Sequence, residues 1–454
     1  MRPAIAIVLA TMLAGCTVGP NYHRPAIDVP SGYRNQAETA GGASLGDEKW
    51  WSIYQDEELQ KLIRSALKSN YDVRIAATRI LQSQAQLGIT RSEQFPTIGA
   101  GPGVLSERIP GFSFTALQLQ GLFSWNVDFW GQYRRATEAA RANLLATEWN
   151  QRQVLSTLVS SVAMAYFELR ELDLELQIAQ QTLESRKQSL QLTETLERGG
   201  AAGLLDVRQA EQLVETAAET IPEAQRQIAI QEDLLSTLMG ENPHEIPRGR
   251  PLADEPLPQS IPAGLPSELL ERRPDIRQIE QQLIAANAQI GVARAQLFPS
   301  LALTAQGGTE SAHLAGLFSS GGSAWTITAP LTQPIFNAGR LRANVRLAQA
   351  QQEQALLTYH QTIQTAFRQV SDALVSFAKF REFREHQDLL TAAAQSAASL
   401  SEMRYRGGAA SYLEVLTNET NYFAAQLNLA RARLNERLSL VQIYNALGGG
   451  WETQ

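Results

Sequence analysis

The sequence predicts a mainly helical protein with a small β part, built from one helix–hairpin–helix–helix unit that occurs twice. Three observations carry this. Short motifs recur in the same order at a near-constant offset. The stretch from Gln132 to Glu197 holds neither Pro nor Gly. Short segments of period-two alternation precede the long helical stretch of each half.

The recurrence comes first. Asp72-Val73-Arg74 returns as Asp275-Ile276-Arg277, Leu87-Gly88-Ile89 as Ile290-Gly291-Val292, and Phe95-Pro96 as Phe298-Pro299, all 203 positions on. After a small insertion the offset becomes 208. Gly131-Gln132 then matches Gly339-Arg340, Arg198 to Ala202 matches Arg406 to Ala410, Leu205-Asp206-Val207 matches Leu413-Glu414-Val415, and Gly240 matches Gly448. A unit of about 185 residues is too long for a solenoid repeat, so the chain holds a duplicated half rather than an array. The expected division is 1–15 as an export signal, 16–49 as an arm, 50–240 as the first repeat, 241–265 as a connector, and 266–450 as the second repeat. The connector carries Pro243, Pro247, Pro251, Pro256, Pro258 and Pro262, with Pro266 just beyond. Fixed φ and missing donors should keep it extended.

Each half should run short helix, helix, two strands, long helix, helix. Asp56 to Ser69 reads as helix, with Leu59, Ile63, Ala66 and Leu67 on one face. A second helix spans Val73 to Gln94 and stops before Pro96. The counterparts are Pro266 to Glu271 and Ile276 to Leu297. From Leu117 to Phe129 apolar residues take the odd positions (Leu117, Leu119, Phe123, Trp125, Val127, Phe129), while Gln118, Gln120, Ser124, Asn126 and Asp128 take even ones. Trp325, Ile327, Ala329 and Leu331 alternate likewise with Thr326, Thr328, Pro330 and Thr332. This fits strands with lipid on one side and water on the other, and equally fits half-buried strands of a soluble protein. The partner strands are expected at Thr97 to Leu105 and Ser300 to Gln306, with tips at Glu107 to Gly111 and Ser311 to Ser323.

The long helices follow. Leu155, Leu158, Val162, Ala165, Leu169, Leu172, Leu176, Ala179 and Leu183 are spaced alternately three and four apart, a coiled-coil seam. Ile363, Ala366, Val370, Ala373, Phe377 and Phe380 repeat it. Val159 and Tyr166, matched by Phe367 and Leu374, flank the seam. Two flanking seams suit a barrel of helices, and a simple antiparallel helical hairpin accounts for them as well. Each long helix ends at Arg-Gly-Gly, a left-handed stop. Returning helices are expected from Leu204 to Met239, interrupted by Pro222, and from Tyr412 to Leu447.

Arg2, the apolar run Ala4 to Ala10 and Leu13-Ala14-Gly15-Cys16 look like an export signal, and the last four residues resemble a bacterial lipobox with Cys16 as acyl acceptor. An ordinary secretory signal with a chance cysteine is the alternative. Cys16 is the single cysteine of the 454 residues, which leaves none for disulfides or thiolate metal sites. A net charge of −7 argues against nucleic acid as a partner. No later segment has eighteen consecutive apolar residues, so a membrane could be crossed only by strands closed into a barrel. Four strands per chain are too few to close one, so several chains would have to share a wall.

Catalytic, metal and cofactor sites are not expected. His23, His244, His313, His360 and His386 form no His-x-x-x-His pair, and there is neither a nucleophile elbow nor a Walker A motif. Gly99-Ala100-Gly101-Pro102-Gly103 is not a dinucleotide fingerprint and lies in a candidate strand. Five methionines, two of them in the expected signal, make no methionine ladder for copper or silver.

Several motifs carry a family resemblance. Val18-Gly19-Pro20-Asn21-Tyr22 after the lipobox, Trp50-Trp51, Asn70-Tyr71-Asp72, Gln94-Phe95-Pro96, Glu271-Arg272-Arg273-Pro274-Asp275 and Phe298-Pro299-Ser300 resemble the NodT-type outer-membrane lipoproteins. These belong to the TolC-like outer-membrane factors of tripartite efflux systems. The resemblance covers nearly the whole mature chain. It implies a homotrimer with a 12-stranded outer-membrane β-barrel, a 12-helix periplasmic α-barrel and a mixed equatorial domain. It further implies a passive exit duct anchored in outer-membrane lipid. Its partners would be a periplasmic membrane-fusion adaptor and an inner-membrane pump of the resistance-nodulation-division type. On that basis Arg198, Gly199, Gly200, Ala201 and Arg406, Gly407, Gly408, Ala409 are the tip turns that meet the adaptor. Tyr405, Glu414, Thr417 and Glu419 are candidates for the periplasmic gate. Thr417 stands where relatives often carry aspartate, and the charge of Glu414 or Asp206 also suits the start of a returning helix. A lipid-anchored periplasmic coiled-coil scaffold without a pore is the competing reading. It explains the seams but does not require strand pairs at matching places.

Overall fold

The computed structural model describes residues 17–34, 44–254, 256–258, 261–319 and 321–452; the expected signal and Cys16 lie outside the described residues. The first half contains α1 (Trp50–Ile53), α2 (Glu57–Ser69), α3 (Tyr71–Ser92), β1 (Thr97–Ile109), β2 (Phe112–Val127), α4 (Gln132–Arg198) and α5 (Leu204–Leu238). The second contains α6 (Pro266–Arg272), α7 (Pro274–Ala295), β3 (Ser300–Ser311), β4 (Ser323–Thr328), β5 (Leu331–Thr332), α8 (Arg340–Arg406) and α9 (Tyr412–Ala446). Duplicated helices match in length: α4 and α8 have 67 residues each, α5 and α9 have 35 each.

Boundaries differ from expectation where side chains cap or turns tighten. The Asn70 carboxamide oxygen accepts from the backbone N–H of Asp72 at 2.7 Å, so α3 opens two residues before Val73 and ends earlier, at Ser92. Pro274, with φ preset for a first turn, opens α7 two residues before Ile276, and the helix closes at Ala295. The strands are longer than alternation alone implied. β1 runs past Leu105 to Ile109 and β2 begins at Phe112, because Pro110-Gly111 turns the chain in two residues with Gly111 at φ +85°.

The sheet is antiparallel throughout, in the order β1-β2-β3-β4, with β5 also paired to β3. Its register obeys the duplication. Moving β1 by 203 and β2 by 208 carries Gly101↔Gln120 onto Thr304↔Thr328, Gly103↔Gln118 onto Gln306↔Thr326, and Ile98↔Phe123 onto Leu301↔Leu331. The two hairpins are therefore one hairpin built twice.

The chain packs as two compact units, and both repeats contribute to each. The first comprises the described residues up to Ile27, Ala77–Trp149 and Asp275–Thr362. It holds the sheet and a helical layer in which Ala139 and Ala142 of α4 meet Ala285 and Ala288 of α7, while Ile290 and Ala293 of α7 meet Ala348 of α8. Small side chains let these helices approach closely. The arm is fastened here rather than merely laid along the surface. The Val18 N–H donates to the Trp130 carbonyl at 3.0 Å, and the buried guanidinium of Arg135 donates to the carbonyls of Val18 and Gly19 and to Asn21. The Asn287 carboxamide donates to the Pro20 carbonyl, and buried Glu280 receives Tyr22 and Arg24.

The second unit comprises Asp28–Ala76, Asn150–Pro274 and the described residues from Ile363 onward. Seam residues Leu155, Leu158, Val162, Ala165, Leu169, Leu172 and Ala179 are buried, as are Ile363, Ala366, Val370, Ala373 and Phe377. Asp56, itself buried, caps α2 through the Glu58 N–H, receives the Tyr166 hydroxyl at 2.9 Å and receives the Arg250 N–H at 2.9 Å. One carboxylate thus joins a helix start, a residue flanking the seam and the connector.

The arm yields a test. A Cβ at Gly19 would lie 2.5 Å from the Cα of Gly291, and Gly19 has φ +105°. Gly19→Val combines a backbone clash with a disfavoured conformation, which costs on the order of 1–3 kcal/mol. Limited proteolysis should release the arm several-fold faster in the variant, with the helices unchanged by circular dichroism. An unchanged cleavage rate would mean that the arm is not held by this contact.

Candidate functional site

Two features of the molecule stand apart from ordinary packing: the two faces of its sheet, and the turns at the ends of its long helices.

Strand side chains alternate between faces, so the register decides which residues share a surface. One face collects Ile98, Ala100, Pro102 and Val104 of β1; Leu117, Leu119, Phe123, Trp125 and Val127 of β2; Leu301, Leu303 and Ala305 of β3; and Trp325, Ile327 and Leu331 of β4 and β5. Several of these are open to the surroundings, with Ile98, Val104, Trp325 and Ile327 each more than 65% exposed. The opposite face carries Thr97, Gln118, Gln120, Ser124, Asn126, Thr304, Gln306, Glu310, Thr326 and Thr328. Glycines 99, 101 and 103 line it on β1; Leu105 and Leu122 are apolar, as are Ala302, Ala324 and, toward the hairpin tip, Ile109, Phe112, Phe114 and Ala116. The apolar face runs across all the strands near their base, and toward the tips it gives way to Ser106, Arg108, Ser113, Thr115, Thr309 and Ser311. At its base the Trp130 ring stacks on Phe298 at 4.6 Å, an aromatic pair of the kind found at membrane boundaries. No helix among the described residues is long and apolar enough to cross a membrane.

The helix ends are built alike. Gly200 N–H donates to Glu197, and Ala201 N–H to Leu196; Gly408 N–H donates to Tyr405, and Ala409 N–H to Arg404. This is a Schellman closure, with Gly200 at φ +74° and Gly408 at φ +71°. Arg198 and Arg406, the last helical residues, are exposed; Arg198 turns back onto Thr195 and Arg406 onto Glu402. Gly199 and Gly407 complete the turns.

Behind the turns Ala210, Leu213, Tyr412 and Val415 form a cluster with Leu190, Tyr405 and Leu416. Tyr405 lies edge-on to Tyr412 at 5.1 Å and is half-buried, and burial pushes the Tyr412 hydroxyl up to about 12. Glu414 faces Arg404 of its own chain at 3.6 Å in a largely exposed pair, while Arg406 goes to Glu402 instead. Thr417 is exposed and its hydroxyl returns to the Leu413 carbonyl. Glu419 is partly buried; burial raises its carboxyl, opposed by nearby Arg186 and reinforced by Glu402. The four gate candidates therefore share one end of the helices without forming a single contact set.

Sequence reasoning missed several polar anchors. Arg186, 2% exposed, donates to the Leu213 carbonyl at 2.7 Å and to the Glu419 carbonyl at 3.4 Å, and lies over the Phe423 ring. Its burial lowers the guanidinium's proton affinity. It stands three residues beyond Leu183, on the seam register, and that spacing could have revealed it. Arg381 and Arg384 converge on buried Glu436, and Arg384 and Arg433 on Asp388, beside a cavity of about 410 Å3. Glu171, 5% exposed, has a carboxyl oxygen with no hydrogen-bond partner. Burial raises it to about 7, reinforced by Glu175 and partly offset by Arg431. No group of three or more His, Cys, Asp or Glu that could hold a metal occurs among the described residues.

The profile of the family described as outer membrane efflux protein matches residues 62–241 and 265–449. The chain belongs to that family. It is 35% identical to the cation efflux system protein CusC of Escherichia coli O6:H1 and 38% identical to the solvent efflux pump outer membrane protein SrpC of Pseudomonas putida. The alignments cover 98% of both chains and 97% and 96% of the two chains, respectively. The fold matches the open state of the Neisseria gonorrhoeae MtrE outer membrane channel with a TM-score of 0.88 at 31% identity, over 96% of this chain and 99% of that one. As a family member, the protein is an outer-membrane channel of efflux, and its place is the outer membrane. The pore-free scaffold reading does not fit this membership.

Glu171 gives a pH test. Its folded-state pKa of about 7 lies above the unfolded value of 4.5. The folded chain therefore holds this proton more tightly, and stability falls as pH rises from about 4.5 through about 7. Glu171→Gln removes the burden, by at most about 3 kcal/mol. Thermal unfolding should show the variant more stable at pH 8 and little changed at pH 4.5. Equal gains at both pH values would refute the assignment.

Proposed function

We propose that this chain is one of three subunits of a passive exit duct, through which small molecules leave by way of the periplasm and outer membrane, with no catalytic chemistry of its own. The apolar sheet face with unpaired outer strands carries this reading, because such a sheet fits a lipid-facing wall completed by other copies. An acylated Cys16 adds an anchor, at the head of an arm covering 16–49. Repeats 50–240 and 266–450, joined by the connector 241–265, supply two hairpins each of strand and helix. The energy comes from an inner-membrane pump, and a periplasmic adaptor joins pump to duct; the resistance-nodulation-division class is the pump partner. Relatives named for cations and for solvents support a duct whose cargo is chosen elsewhere.

The tip turns, Arg198 to Ala201 and Arg406 to Ala409, are the surfaces that meet the adaptor. A Cβ at Gly200 or Gly408 meets nothing within 4 Å, so the strain of a substitution arises from positive φ alone. Gly200→Val and Gly408→Val should leave trimer levels near normal and reduce efflux in cells at least several-fold. Two variants that assemble and pump like the parent would remove the turns from the docking surface.

Tyr405 and Glu414 form the gate, with Thr417 and Glu419 the next positions. Each Arg404–Glu414 pair contributes at most about 1 kcal/mol, so closure depends on threefold repetition around the axis. Purified protein in a planar bilayer should conduct. Tyr405→Phe combined with Glu414→Ala should raise single-channel conductance and sensitise cells to vancomycin. An assembled double variant of unchanged conductance would move the gate elsewhere, and absence of any conductance in the parent would overturn the channel itself.

A further inference from the structure

At one junction the two halves of the chain differ sharply in charge. In the second half α8, α9 and the connector enclose a cavity of about 410 Å3 whose wall carries Arg381, Arg384, Arg433 and Arg437. Glu385, Asp388 and Glu436 complete the charged lining. The repeat offset of 208 turns six of these seven residues into Leu176, Gln177, Gln180, Gln225, Ile228 and Ala229, none of them charged. The seventh, Arg381, becomes Asp173. One fold therefore builds the same junction twice, once with largely neutral side chains and once with ions around an open space.

Stability does not account for the ions. Glu436 is 1% exposed and Arg437 is 4% exposed. Taking such groups out of water costs more than their mutual attraction commonly returns, and apolar residues of similar volume are often the more stable choice. The first half shows that choice, with Ile228 buried at the position of Glu436. A charged lining kept beside open space calls for something that enters it.

Charge and geometry define the occupant. Four guanidiniums face three carboxylates among the described lining residues, which leaves one positive charge in excess. The ion pairs also hold the forks in place. Glu436 accepts from Arg384 Nε at 2.9 Å and from Arg381 Nε at 3.3 Å, and Asp388 accepts from Arg384 Nη1 at 2.8 Å and from Arg433 Nη2 at 3.1 Å. Arg437 donates to the Arg433 carbonyl at 3.1 Å, and Arg381 to the Pro258 carbonyl of the connector. Forks ordered in advance lose less freedom when an anion arrives. They come from two helices, so a group with acceptor oxygens in several directions suits them better than a flat carboxylate. Ala253 and Leu257 of the connector supply the rest of the wall, an apolar surface for an organic part.

We propose that this cavity is an anion site that takes a phosphate group, free or esterified to a small organic part. The bound phosphate joins α8, α9 and the connector at one point. None of its residues belongs to the tip turns or to the candidate gate.

Isothermal titration calorimetry tests it on the full-length protein in detergent, in chloride buffer of constant ionic strength. Inorganic phosphate and glycerol 3-phosphate are the probes, and one saturable site per chain is the expected result. Arg433→Gln and Arg384→Leu install the residues of the first half, so circular dichroism should be unchanged, while each weakens phosphate binding by about tenfold or more. Glu385→Gln removes an exposed negative charge and should tighten binding about threefold, an effect of opposite sign that a merely structural role of the arginines does not produce. Equal affinity for the two probes identifies the bare phosphate group as what is read. Tighter binding of the ester, with the advantage lost in Leu257→Ala, identifies an esterified source. Absence of saturable binding in the parent would overturn the proposal, and so would binding that Arg433→Gln and Glu385→Gln leave unchanged.

Discussion

Backbone hydrogen bonding at the two outer strands of the sheet constrains everything else in this protein. Among the described residues β1 is paired on one side only, and so is β4. In lipid, every unpaired N–H and C=O on those edges costs several kcal/mol, and no water is present to take its place. A sheet that is apolar on one side and open at both ends is stable in a membrane only as an arc of a closed wall. The helical part is as uneven as the sheet is open: α3 buries only Ala76, whereas its duplicate α7 buries Leu283, Ala285, Ala288 and Ile290.

Duplication gives the wall its regularity, and polar contacts break that regularity at chosen places. The hairpins coincide pair for pair, and the turn glycines Gly200 and Gly408 share a conformation. The anchors do not repeat. Asp56 gathers Tyr166 and Arg250 in the first half. In the second, Arg381 and Arg384 close on Glu436, and Arg381 also reaches the Pro258 carbonyl. The connector is held to each half by different chemistry, which gives two otherwise similar hairpins distinct surroundings.

Much of this was legible in the sequence, and the reasons are physical. Offsets of 203 and 208 revealed the unit, the three-four seam located the buried stripe of α4, and the odd-numbered apolar row of β2 turned out to be one face of the sheet. Strand ends were misjudged because Gly99, Gly101 and Gly103 have no side chain to show period, and because the two-residue turn at Pro110-Gly111 is shorter than its composition suggests. Arg186 and Glu171 were passed over because a charged residue on a long helix ordinarily faces water. Of the candidate site, the turns were readable from Arg-Gly-Gly, since helix termination is local chemistry. The fastening of the arm was not, because Arg135, Glu280 and Asn287 are brought to Val18–Arg24 only by folding.

That fastening exists in one of two equivalent places. Gly19 fills the space against Gly291, and Thr17 that against Gly131; their repeat counterparts Gly88 and Gly339 have nothing within 4 Å of a built Cβ. The clamp residues are not duplicated either: Arg135, Glu280 and Asn287 correspond to Ala343, Ala77 and Gln84. Among the described residues of one chain, the α4–α7 joint is therefore riveted by the arm, while the equivalent faces of α3 and α8 carry no such rivet. A pull on the arm therefore loads α4 and α7 together and leaves the matching faces of α3 and α8 untouched.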